Sequence, residues 1–92
     1  MLDFFLIGDE QSCNSNQMAS AGGINLDEFE RAQDLKIIEK HVDFYDDFRW
    51  ASQSVHQKHA LLTPAVTGAI PSLASILKQA FAADCGLAAF GD

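Results

Sequence analysis

Two short apolar runs bracket the chain, and neither is long enough to be a helix. Leu2-Asp3-Phe4-Phe5-Leu6-Ile7 stands near one end and Leu87-Ala88-Ala89-Phe90 near the other, each followed by Gly-Asp. The aromatic and branched content of the first run favours an extended strand. An isolated pair of strands is marginal in water. The two runs therefore predict a small sheet that must be covered by whatever lies between them, and a third strand over residues 37–42 would help complete it.

The intervening sequence reads mostly as helix. Residues 9–23, DEQSCNSNQMASAGG, are polar and small and are expected to form a flexible loop. A helix opens near Asn25, whose side chain can accept a hydrogen bond from an early backbone N–H. Asp27 and Glu28 suit the positive end of its dipole, and it is expected to end near Leu35, with residues 36–45 either extended or a continuation of the helix. A second helix is expected over residues 46–62, capped by Asp46 or Asp47, with Phe48, Ala51, Val55, His59 and Leu62 on one face. Pro64 stops it, because the residue before a proline is driven out of helical geometry. Residues 63–70 then form a connector or a single short helical turn.

Pro71 suits a first helical position. From there Leu73, Ile76, Leu77, Ala80 and Phe81 recur at three and four residues, and Gly86 is placed to end the helix. Its outer face, carrying Ala74, Ser75, Lys78, Gln79, Ala82 and Ala83, is small enough to allow homodimer contact through the 72–85 helix. The fold class is therefore α+β. It is a helix-rich single domain over residues 1–92, with about three helices packed on a small sheet formed by the N- and C-terminal strands.

Charge narrows the function classes. The net charge is −7, and the basic residues number only six and are scattered. This argues against nucleic-acid or anionic-membrane binding, both of which need clustered Lys and Arg. No apolar stretch approaches the roughly 20 residues that span a bilayer, and no charged leader precedes the first apolar run. Cys13 and Cys85 lack CxxC spacing, so a zinc or redox motif is not supported. The expectation is a cytoplasmic protein with both cysteines reduced and no cofactor.

The acidic residues are concentrated. Eight of thirteen fall between Asp27 and Asp47, and none lies between Ala51 and Ala83. The acidic stretch runs into Asp43-Phe44-Tyr45-Asp46-Asp47-Phe48-Arg49-Trp50. Tyr, Trp and Arg dominate interface energetics, and neighbouring acids steer a basic partner. On a helix over 46–62, Phe48 would face the core and Arg49 and Trp50 would turn away. Asp43, Tyr45, Asp46, Asp47, Arg49 and Trp50 are thus the candidate partner-binding residues. A lone Trp in a small domain is nonetheless often a core residue.

The expected function is a non-catalytic protein-interaction module, such as an inhibitor or immunity-type protein that covers a basic toxin or nuclease. One alternative is a small enzyme or metal-binding protein using His41, His56, His59 and nearby acids. Against it, His56 and His59 are three apart where helical metal pairs more often use four, and no catalytic motif accompanies them. Another alternative is a constitutive subunit whose acidic face is merely solvated.

Overall fold

The computed structural model describes residues 2–7 and 19–91. Among them, the elements run β1 (Leu2–Ile7), β2 (Ala19–Ile24), α1 (Leu26–Asp34), β3 (Phe48–Trp50), α2 (Ser52–Ala60), α3 (Pro64–Ala69), α4 (Pro71–Ala83) and β4 (Gly86–Phe90). The four strands form one sheet in the order β2-β1-β4-β3, and every neighbouring pair is antiparallel. The terminal strands β1 and β4 pair at its centre, as the sequence predicts, and the domain is α+β. None of the described helices is long and apolar enough to cross a membrane.

Register explains the layering. Phe4 and Phe48 both oppose Ala89, while Leu6 and Trp50 both oppose Leu87. Residues opposed in a ladder point to the same face, so these side chains stand together. Over them lie Phe29 and Ala32 of α1, Val55 of α2 and Leu73, Ile76, Leu77 and Ala80 of α4, in one continuous core with Leu2, Ile24 and Ile70. The sheet thus carries the helices on this face. On the opposite face Phe5 and Phe90 meet edge to face, with ring centroids 5.6 Å apart.

Several sequence expectations need correction. Residues 19–23 are strand rather than loop, with a bulge at Ala21 of β2, where the register shifts between Phe4 and Phe5 of β1, and the rest of the expected loop, with Cys13, lies outside the described residues. Residues 37–42 form turns, and the strand on the far edge is β3. The expected 46–62 helix is divided, because Phe48 and Trp50 both point into the aromatic core beside Phe4. A helix would turn them roughly 200° apart, whereas a strand's period of two puts both on one face. Neither Asp46 nor Asp47 caps α2; its N-cap is Ala51, which makes no side-chain bond.

The outer and inner faces of α4 also differ from the expected stripe. Ala74 is buried, and Phe81 is 42% exposed. The helix ends on Asp84 in the left-handed conformation, φ 52°, with its N–H donating to the Phe81 carbonyl. Gly86 instead begins β4, where a Cβ would collide with the Trp50 carbonyl. The start of α4 has no cap from its own sequence. Glu28 of α1 supplies one, its Oε2 accepting from the Leu73 N–H at 2.6 Å in a buried site.

Candidate interaction site

Between α1 and β3 the chain runs through thirteen residues, Leu35 to Asp47, with no regular structure. A connection this long is ordinarily functional or mobile, and this one is fastened at several points. It opens where Lys36 takes a left-handed turn, φ 64°, and the Ile37 and Ile38 N–H groups donate back to the Ala32 carbonyl. Ile37, Ile38 and Phe44 are buried. Gln33 of α1 donates from Nε2 to the carbonyls of Glu39 and Val42, at 3.2 and 2.9 Å.

Lys58 of α2 completes the fastening. It is 7% exposed, and its ammonium donates to the Ile37 carbonyl at 2.7 Å and to Glu39 Oε1 at 2.9 Å. The same nitrogen stands 4.5 Å from the centre of the Trp50 ring. Partial burial opposes charge on the Glu39 carboxyl. The hydrogen bond from Lys58, one from the backbone, and the nearby Lys58 and His41 charges outweigh that burial and hold its pKa below the ordinary 4.5.

What the loop presents is an exposed tyrosine among acids. Tyr45 is 62% exposed, and its ring meets Phe44 edge-on at 5.1 Å, while Phe44 in turn meets Phe29 of α1 at 5.4 Å. Asp43 Oδ1 accepts from the Tyr45 N–H at 3.0 Å, and the Asp46 N–H donates to the Asp43 carbonyl. Asp47 Oδ1 accepts from the Gly91 N–H. Gly91 packs so closely that a Cβ there would stand 2.6 Å from the Tyr45 carbonyl carbon. Gly91, the residue just past β4, therefore sets the position of the turn.

A groove of about 310 Å³ runs between this turn and α1. Its floor is Phe29 and Phe44, its opposite wall carries Leu26, Glu30 and Gln33, and Lys40, His41 and Asp43 lie along the loop side. Leu26 is 42% exposed. The α1 wall was missed from sequence, although Leu26, Phe29, Glu30 and Gln33 follow the i, i+3, i+4, i+7 spacing of one helix face.

The sequence-predicted residues are therefore only partly brought together. Asp43, Tyr45, Asp46 and Asp47 form one exposed turn, and Arg49 is exposed on β3. Trp50 is not on the surface. It is 6% exposed, packed on Phe4 and Phe48 at 5.8 and 5.3 Å and under the Lys58 ammonium, which makes it a core residue.

The three histidines do not converge. His41 lines the groove, whereas His59 stacks on Phe81 at 3.9 Å. His56 lies 4.9 Å from that ring, and its Nε2 donates to Asp84 Oδ1 at 3.0 Å. Among the described residues no three His, Cys, Asp or Glu side chains are grouped to hold a metal ion. The chain matches no protein-family model, no curated protein and no solved structure.

Proposed function

We propose that this protein is a non-catalytic interaction module that binds a basic protein through the turn carrying Asp43, Tyr45, Asp46 and Asp47. It would act as an inhibitor or immunity-type protein does, by covering the cationic surface of a toxin or nuclease. The observation that carries the reading is Tyr45. A large aromatic side chain stands 62% exposed between carboxylates, on a loop fastened by Lys58, Gln33 and Gly91. Holding such a loop rigid lowers the ordering cost that binding otherwise incurs. The flanking acids would raise the association rate with a cationic partner.

The test is affinity capture at low and physiological salt, using wild type and Tyr45→Ala. The expected result is one basic protein retained near stoichiometry, lost with the folded Tyr45→Ala variant and weakened by salt. Capture that is indifferent to both changes would refute the reading.

A further inference from the structure

The groove beside Tyr45 combines two features that one kind of guest satisfies together. Its floor is aromatic and closed, since Phe29 and Phe44 are 3% and 7% exposed, yet Leu26 and Tyr45 stand exposed at its edges. Its polar lining includes Glu30 and Asp43. A purely apolar guest would strip water from those carboxylates without replacing it. An acidic guest would meet their charge. A long side chain with an apolar stem and a cationic head satisfies both.

The surrounding charge points the same way. Lys40 and His41 also line the groove, but Glu30 and Asp43 against Lys40 leave its lining at −1 with His neutral, and the exposed Asp46 and Asp47 on the same turn add to the negative charge beside it. The volume, about 310 Å³, lies at the small end of the roughly 300–1,000 Å³ typical of ligand sites, which suits side chains better than a cofactor. The exposed ring of Tyr45 separates the two candidate cations. A planar guanidinium stacks on an aromatic face, whereas an ammonium is a compact, strongly hydrated point charge.

We infer that the groove takes an arginine side chain from an extended basic segment of the partner, an inference that rests on the interaction reading above. The stem lies on the Phe29–Phe44 floor, and the guanidinium stacks on Tyr45 and pairs with Asp43 and Glu30.

The probe is a short Gly/Ser peptide carrying arginine, with its lysine and citrulline counterparts, titrated into isotope-labelled protein while backbone amide shifts are followed. The arginine peptide should move the Leu26, Glu30, Asp43 and Tyr45 amides and bind about two- to fivefold more tightly than the lysine peptide. Citrulline, neutral and of the same shape, should not bind. Tyr45→Ala, at an exposed position, should erase the advantage of arginine, and Tyr45→Phe should keep it. If arginine and lysine bind equally and Asp46→Asn/Asp47→Asn weakens both, the arginine groove is overturned and the basic-partner reading stands. If neither cationic peptide exceeds citrulline, both fail.

Discussion

Lys58→Met removes the ammonium that fastens the interaction loop while keeping most of the side-chain volume. Three contacts go with it. The bond to the Ile37 carbonyl, 2.7 Å and buried, is charge-assisted, a class worth about 1.5–3 kcal/mol. The Glu39 pair contributes at most about 1 kcal/mol, because Glu39 is 45% exposed and solvent screens it. The ammonium over Trp50 adds roughly 0.5–2 kcal/mol.

Opposing these losses, methionine relieves the dehydration of a lysine only 7% exposed, which costs several kcal/mol for a fully buried ion. The partner left behind, Glu39, can rehydrate, so the change should fall below the roughly 3–5 kcal/mol of a stranded buried charge. A net loss of about 1–3 kcal/mol follows, led by the unsatisfied Ile37 carbonyl. Glu39→Gln should cost less than about 1 kcal/mol. Urea unfolding at neutral pH measures both, and hydrogen exchange should show loss of protection at the Ile38 and Val42 amides in Lys58→Met alone. A Lys58→Met protein as stable as wild type, with those amides still protected, would mean that packing of Ile37, Ile38 and Phe44 holds the loop without the lysine.

Other expected outcomes bear on separate parts of the fold. Glu28→Ala leaves the Leu73 N–H at the start of α4 without its acceptor and should lower stability by about 2–4 kcal/mol, Glu28→Gln by less, as read from urea midpoints. The depressed pKa of Glu39 means that its contribution is present above the unfolded pKa and is lost as pH falls through the folded one. Acid titration of wild type should therefore show a component absent from Glu39→Gln. Trp50→Ala should cost about 3–5 kcal/mol, lowering Tm by about 4–8 °C per kcal/mol for a domain of this size, whereas Tyr45→Ala should leave Tm nearly unchanged.

The terminal strands, α1 and α4 were legible because each is a local pattern: two β-rich runs, an Asn25 cap that the structure forms to the Glu28 N–H at 2.9 Å, and a helical stripe opened by Pro71. The third strand was not legible. Phe48-Arg49-Trp50 is three residues long, and its alternation has meaning only once Ala89 and Leu87 lie beside it. The strand at Ala19–Ile24 is harder still, since Ala-Ser-Ala-Gly-Gly is poor strand material and pairs because β1 offers an edge. The candidate site was half visible. Its acids and Tyr45 are contiguous in sequence, but the α1 wall is brought to them by the loop's fastening, and Trp50 left the site when helix became strand.

The central claim is that Tyr45 and its flanking aspartates bind a basic protein, and rate constants for the captured partner test it most directly. Association and dissociation would be measured for wild type, Tyr45→Ala and Asp46→Asn/Asp47→Asn across ionic strength. The account predicts that Tyr45→Ala raises koff while leaving kon nearly intact, and that the aspartate changes lower kon and flatten its salt dependence. Rates unchanged in both folded variants would contradict it.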